Sequence, residues 1–415
     1  MKLKTKRSLW RRTRTDTMRQ RSGKRRRVEF EDGHVGREDV LEAEVESDCY
    51  LLQRLPVEVW THILSFVLAK KSPFASLSAT LLTCKLWRRI GLSLVTSYTM
   101  SPMKPKKLAR KCLAFLFGNC PNLRSLRVRN CPIVNSMLYH LPERITLLDC
   151  GFTQITEEAL EYLPLSLKAL SIDNMAITDN GFNDLPSRLD TLSLRQVIIS
   201  PISAKKMAQR FTRLRKLTLS AQVTNVTAFL PPSIECLRLH VGSIGDKNYL
   251  WNDNVIATLL PLPNLQILEI SRCNITNSSK QTLAETRVRH LVIRQAKLSD
   301  DGMRYLPPTL ISLMLESVPT ITDAGLRGLP LAVQSMALIK MEKLTGPGLL
   351  SFLLESATNL RYLVLDEELH AALRAVDVDR KLAARRNLHI SVKRENEPCP
   401  KLHQLPVHHL PPPDQ

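Results

Sequence analysis

The chain has 415 residues, which suits two or three domains unless it is built of repeats. Its 44% hydrophobic and 24% charged residues are the balance of an ordered chain, and 70 leucines beside 14 glycines exclude collagen-like, low-complexity and Gly-rich nucleotide-binding designs. The formal charge of +20 is concentrated in the first quarter: +12 over residues 1–27, −8 over 28–48, +10 over 49–122, and only +6 over all the rest.

No apolar run approaches the roughly 20 residues of a membrane span. The start, Met1-Lys2-Leu3-Lys4, has no apolar core and does not read as a secretory signal. Nine cysteines without a CxxC pair suit reduced thiols and speak against structural zinc.

Residues 1–48 carry charge blocks of both signs and few large apolar groups, so they are expected to be disordered. Within them Arg11-Arg12, a spacer of eleven residues, and Lys24-Arg25-Arg26-Arg27 resemble a bipartite nuclear import signal. A solvated tail or an RNA contact are the other readings of these cations, although no interleaved aromatics offer base stacking. A nuclear or cytoplasmic location follows.

Residues 50–97 read as a small helical module. Pro56 suits the first turn of a helix, Glu58 favours its dipole, and Val59, Ile63, Phe66 and Val67 recur at helical spacing. A second helix is expected from about Ser76 through Trp87 to Ile90. Together they hold more apolar surface than they can cover, which usually meets a partner or a neighbouring domain. Leu55-Pro56-Val57-Glu58-Val59, then Ile63-Leu64-Ser65-Phe66, then Leu81-Leu82-Thr83-Cys84-Lys85 and Trp87-Arg88 resemble an F-box over nearly its whole length. That resemblance implies docking onto the Skp-type adaptor of a cullin-based ubiquitin ligase. The implied contacts are Leu55, Pro56, Glu58, Val59, Ile63, Leu64, Phe66, Leu82, Cys84, Lys85 and Trp87.

Residues 98–122 are expected to form a helical N-terminal cap on a solenoid. From Leu123 the pattern Leu123-x-x-Leu126-x-Val128-x-x-Cys131-x-Ile133 recurs with starts at 145, 167 and 189, then at Leu214, Ile234, Leu265, Val288, Leu310, Val333 and Leu360. About eleven copies over residues 123–366 are similar to the leucine-rich repeat. The fold expected is α/β: a solenoid with a parallel concave sheet, preceded by the all-α F-box-like module. Thr or Ser after each strand, as in Ile177-Thr178-Asp179 and Ile321-Thr322-Asp323, is expected to cap a convex turn. Leu-Pro closes most copies. Gly245 to Asn254 reads as a looped insertion. The ninth repeat position keeps the usual Asn or Cys only at Cys131 and Cys273, so the turns must satisfy their backbone groups in another way. Residues 367–395 are expected to cap the solenoid, with a helix over 367–386. Residues 396–415 read as a disordered Pro/His-rich tail, where His403, His408 and His409 are a weak metal set at most.

No GxGxxG, P-loop or HExxH is present, and only Cys399 follows the repeats. Bacterial ubiquitin ligases with such repeats carry a catalytic cysteine in a large extra domain, so no catalysis and no cofactor are expected here. The function implied is target selection: the front holds the adaptor and through it a cullin scaffold, and the repeats hold a protein target. The alternatives are a binding scaffold without a ubiquitin role, or a chromatin- or RNA-associated factor tethered by its tail. No small-molecule substrate and no membrane are expected.

By period-two alternation the third, fifth and seventh repeat positions face the concave side. The fifth row turns apolar at the eighth repeat: Val292, Met314, Ala337, Val364, with Ile339 and Tyr362 beside them. This patch is expected to meet the target, with Arg195, Arg238, His240 and Arg294 as polar rim. Covering of the patch by the helix of 367–386, or by the tail, is the alternative.

Overall fold

The computed structural model describes residues 56–68, 85–102, 105–220, 229–240, 262–272, 283–376, 382 and 387–394. Both charged blocks of the N-terminus, Arg11, Arg12, Lys24 to Arg27, Leu55, Leu82, Cys84, Cys273, the insertion at 245–254 and the tail at 396–415 lie outside them. The chain divides into two compact units, Met1–Trp87 and Arg88–Gln415.

In the first unit the helix Val57–Leu68 opens behind Pro56, whose carbonyl accepts from Val59 N (3.0 Å) and Trp60 N (3.2 Å). Glu58 sits in the first turn, as expected. The helix Lys85–Ser93 begins in this unit, and Trp87 packs on Trp60 with ring centroids 5.2 Å apart.

The second unit holds one parallel sheet in strict chain order. Its strands are β1 Ser97–Thr99, β2 Ser125–Arg127, β3 Leu147–Asp149, β4 Ala169–Ser171, β5 Thr191–Leu194, β6 Lys216–Ser220 and β7 Cys236–His240. They continue as β8 Ile267–Ser271, β9 His290–Arg294, β10 Ser312–Glu316, β11 Ser335–Ile339, β12 Tyr362–Asp366 and β13 His389–Lys393. The fourth repeat position fixes the register. Leu126 pairs with Leu148, then Leu170, Leu192, Leu217, Leu237, Leu268, Leu291 and Leu313. All are buried, and each contributes roughly 2 kcal/mol of transfer free energy. Slipping one strand by a residue would turn its leucines to the opposite face. This is the α/β leucine-rich-repeat solenoid that the spacing implies.

Both ends of the sheet run further than the eleven repeat strands. The segment 98–122 is a strand and a helix, Lys106–Asn119, with Tyr98 paired to Leu126. After the last repeat, the helix expected over 367–386 is observed as Glu367–Arg374, capped by Asp366 Oδ1 on Leu369 N at 2.8 Å. β13 then adds a parallel strand beyond it.

The helical segments on the convex side range from single turns to the ten-residue helix Pro201–Arg210, and several have Thr or Ser as N-cap. Ser200 Oγ accepts from Ser203 N (3.0 Å), Ser299 Oγ from Gly302 N (3.2 Å) and Thr345 Oγ1 from Gly348 N (3.1 Å). Where an acid follows the cap, it links that turn to the next. Asp300 accepts Thr322 N (2.7 Å) and its hydroxyl (2.6 Å), Asp323 accepts Thr345 N (2.9 Å) and its hydroxyl (2.7 Å), and Glu157 accepts the Thr178 hydroxyl (2.8 Å). A second ladder replaces the absent Asn row. The eighth repeat residue is left-handed at Asn130, Phe152, Asn174, Gln196, Arg272, Gln295, Ser317 and Lys340. That conformation aims its N–H at the following repeat: Phe152 N reaches Asp173 O (2.8 Å) and Ser317 N reaches Ile339 O (2.9 Å). Each such residue costs roughly 1–2 kcal/mol of backbone strain, which the bond partly offsets.

Asp179 is the acid rung between the turns of the third and fourth repeats, accepting from the hydroxyls of Ser200 and Ser203. Those bonds hold its carboxyl below the ordinary 3.8. A depressed folded-state pKa adds stability above the unfolded value and loses it as pH falls through the folded one. Asp179→Asn is therefore expected to melt below wild type at pH 7, the gap closing as pH drops below the ordinary value. Melting temperatures of both chains followed down the acid range check this. A gap independent of pH would contradict it.

Candidate protein-binding surface

Alternation places two rows of polar side chains on the concave face, and the structure joins them into two ion-pair networks. In the first, Arg129 just beyond β2 reaches Asp149 on β3 (3.3 Å) and Asp173 just beyond β4 (2.5 Å). Arg129 also stacks over the Phe152 ring at 4.9 Å. Two strand steps separate Arg129 from Asp173, and Gly151 stands between them. A Cβ on Gly151 would lie 2.9 Å from Arg129 Nη1 and 3.0 Å from Asp173 Cβ, so the gap it leaves is what lets the guanidinium pass. Asp173 is fully buried and also accepts from Ser193 Oγ (2.7 Å) and Arg195 N (2.8 Å).

The second network alternates in sign across the sheet. Arg238 on β7 donates to Glu269 on β8 (2.8 Å), Glu269 lies 3.6 Å from Arg294 on β9, and Arg294 donates to Glu316 on β10 (3.0 Å). Lys393 on β13 closes it, 3.9 Å from the other oxygen of Glu316. Burial alone would raise the Glu269 carboxyl, but Arg238 and Arg294 outweigh it and hold it below the ordinary range. The Glu269 carboxylate and the arginines on either side of it thus compensate one another.

Between the two networks lie Arg195, just beyond β5, and His240, at the end of β7. His240 Nδ1 meets Ser271 Oγ at 3.1 Å, and that hydroxyl donates onward to Leu239 O at 3.2 Å. The ring therefore donates from Nδ1 and leaves a bare lone pair on Nε2. Burial, then the Arg195 charge, push its pKa down to about 4, so the ring is neutral at pH 7. His240 Nε2 and Arg195 Nε are both shielded from water and have no hydrogen-bond partner among the described residues.

Of the expected target contacts, the polar ones (Arg195, Arg238, His240, Arg294) share this face as predicted. The apolar ones need correction. Met314 is 1% exposed, Ala337 0%, Ile339 1% and Val364 5%, and Val292 packs on them as one cluster. Every residue of β11 is buried. Arg294 Nη2 lies 3.9 Å from Met314 Sδ, and Tyr362 is half-buried beside His389, ring centroids 6.2 Å apart. In the free chain this patch is core and not open surface. Lys393 reaches back along the row Asp366–Ile339–Glu316, and β13 removes the sheet edge that would have bared Val364.

The expected adaptor contacts divide in the same way. Pro56, Glu58 and Lys85 are exposed. Val57 (44%), Val59 (39%) and Ile63 (39%) keep large apolar side chains in water. Leu64 is only 1% exposed and cannot be a contact without rearrangement. Trp87 is half-buried against Trp60, whose indole N–H has no partner among the described residues. Phe66 lies in the helix, but its side chain is outside the description.

Sequence reasoning passed over Arg129, Asp149, Asp173, Glu269, Glu316 and Lys393. Two signals could have found most of them. The seventh repeat position carries Arg129, Asp173 and Glu316, and neighbouring strands there and at the fifth position alternate in sign. Among the described residues no group of three metal-ligating side chains occurs, and no helix is long and apolar enough to cross a membrane.

The fold and this face define the class of molecule: a leucine-rich-repeat solenoid with a charged, hydrogen-bonded concave sheet. No protein-family model matches the chain, and no curated protein does. Solved structures do. TLR13 in complex with ssRNA13 is 18% identical with a TM-score of 0.43, over 67% of this chain and 41% of that one. An internalin (inlF) from Listeria monocytogenes is 16% identical with a TM-score of 0.36, over 72% and 96%. A chain in the octameric complex of latrophilin 3, Unc5D and FLRT2 (LRR) is 17% identical with a TM-score of 0.39, over 67% and 86%. The chain thus spans less than half the length of TLR13.

Proposed function

We propose that this chain selects protein targets for a cullin-type ubiquitin ligase, its front module docking a Skp-type adaptor and its solenoid holding the target. The observation that carries the adaptor half is the exposure of Val57, Val59 and Ile63 behind Pro56, with Val59 and Ile63 one turn apart on one face, within the residues that resemble an F-box. Large apolar side chains left in water on one short helix mark an interaction face. The concave rows supply the second surface: side chains held by ion pairs on a rigid sheet are preorganised for a partner. Nuclear import through Arg11, Arg12 and Lys24 to Arg27 belongs to the same proposal.

A second reading, a binding scaffold without a ubiquitin role, needs only the concave face. Affinity purification of the full chain from cells with the proteasome blocked separates the two. Wild type should retain the Skp-type adaptor and a cullin, and Ile63→Asp should lose both while keeping the proteins held by the solenoid. Equal adaptor recovery with wild type and Ile63→Asp would place the docking face elsewhere. Absence of the adaptor from both would leave only the scaffold.

A further inference from the structure

We infer that the Arg195–His240 pair is the recognition site for a single carboxylate side chain, an Asp or Glu presented by the protein that the solenoid binds. The inference rests on the binding role proposed above and names the chemistry of the partner.

Every other cation singled out in the two networks has a carboxylate partner: Arg129 has Asp149 and Asp173, Arg238 has Glu269, Arg294 has Glu269 and Glu316, and Lys393 has Glu316. The Arg195 side chain has no hydrogen-bond or ion-pair partner among the described residues, and its Nε is buried. A guanidinium with a shielded, unbonded N–H is costly unless a ligand supplies the acceptor. The site has a defined floor. Residues 194 and 219 pair, as do 220 and 240, so Arg195, Ser220 and His240 fall in one row. Ser220 is nearly fully buried and its hydroxyl accepts from Gln196 N at 2.9 Å. Two strand steps separate the outer members, about 10 Å at the backbone. Across that span the two side chains are close enough for the Arg195 charge to bear on the His240 ring.

Charge selects the group. Arg195 brings a positive charge that no acid among the described residues meets in direct contact, beside a neutral ring. A carboxylate cancels it, with one oxygen on the Arg195 N–H and the other on His240 Nε2. A phosphate would bring a second negative charge toward Asp173 and Glu269, which are already present as acids on both flanks. Nε2 can donate only after taking a proton. The groups bearing on it are Arg195 beyond β5, Arg238 on its own strand, Glu269 on β8 and Arg294 on β9, while β6 offers the hydroxyls of Thr218 and Ser220, with Lys216 at its far end. Neutralising Arg195 removes the cation that disfavours the imidazolium most. Binding therefore takes up a proton from solution, and affinity rises as pH falls.

Panning the full chain against a random displayed-peptide library tests this. Asp or Glu should be enriched at one fixed position. Changing that residue to Gln or Asn in the selected peptide should weaken binding by about tenfold or more, as losing a charge-assisted bond does. Arg195→Gln in the protein should cost as much, the two losses should not add, and wild-type affinity should rise between about pH 7.5 and pH 6. The inference is overturned if Arg195→Gln binds the selected peptides as well as wild type does, or if a phosphoserine at that position binds more tightly than Glu. In either case the scaffold reading survives, because peptides are still captured. If no peptide is enriched, the inference and the binding role fall together. The peptide-side exchange is read on wild-type protein, so it decides the matter even if Arg195→Gln folds poorly.

Discussion

Met314→Asp is expected to lower the melting temperature by about 5 °C. Met314 is 1% exposed in a cluster with Ala337, Ile339 and Val364. Its neighbours in the ladder, Val292 and Ala337, offer no hydrogen-bonding group. A carboxylate placed there must remain ionised without solvent or take up a proton, and either course costs about 3–5 kcal/mol. In a protein of this size each kcal/mol shifts the midpoint by roughly 1–2 °C. Arg294 lies near enough to the Met314 sulfur to relieve part of the charge, but it is already shared by Glu269 and Glu316. Met314→Leu keeps the volume and should melt within a degree or two of wild type. A thermal scan of the three proteins is sufficient. If Met314→Asp melts with wild type, the side chain stands in water and the patch is open surface after all.

Gly346→Ala should be nearly as damaging, although it adds a single methyl group. The new Cβ would lie 2.2 Å from Ala372 O and 2.6 Å from Ala372 C. Both atoms are backbone, so no side chain can swing aside. The helix Gly346–Ser351 is fixed at its start by the Thr345 cap, and the helix Glu367–Arg374 by Asp366 and the buried Leu369 and Leu373. The two helices must part. Overpacking of this kind costs about 3 kcal/mol, or roughly 4 °C. Hydrogen exchange should show where: amides of β12 and β13 open faster, while those of β2 to β6 keep their rates, since a solenoid couples only neighbouring turns. Gly118→Ala is the control, because nothing lies within 4 Å of its added Cβ. Uniform loosening along the whole sheet would contradict the local account.

The strands were legible because a parallel sheet with one face packed demands an apolar residue at the same place in every turn. Leu126 through Leu313 advertise it. β1 and β13 were not legible, since Ser97-Tyr98-Thr99 and His389-Ile390-Ser391 lack the leading leucine and borrow their pairing from the neighbouring repeat. The caps were legible from Thr and Ser. The acid after each cap was visible as a residue but not as a rung, because its partner lies about 22 residues away in the next turn. Alternation assigned Met314, Ala337 and Val364 to the concave face correctly, yet it cannot say whether a face is open. That depends on distant chain such as Lys393. For the same reason Arg195 and Arg294 looked alike in the sequence, and only the ion pairs separate the satisfied cation from the unsatisfied one. In the front module the helical period marked Val59 and Ile63 and the F-box resemblance added Leu64, while the fold exposes the first two and buries the third.

The central claim is that the front helix docks a Skp-type adaptor while the solenoid stays free for a target. Titration calorimetry with the purified full chain and the purified adaptor measures it most directly. The account predicts one saturable site for wild type, a strongly negative heat-capacity change from burial of Val57, Val59 and Ile63, and no detectable heat for Ile63→Asp at an unchanged melting temperature. A wild-type chain that is folded by its thermal transition and yet gives no binding heat at any temperature would contradict it.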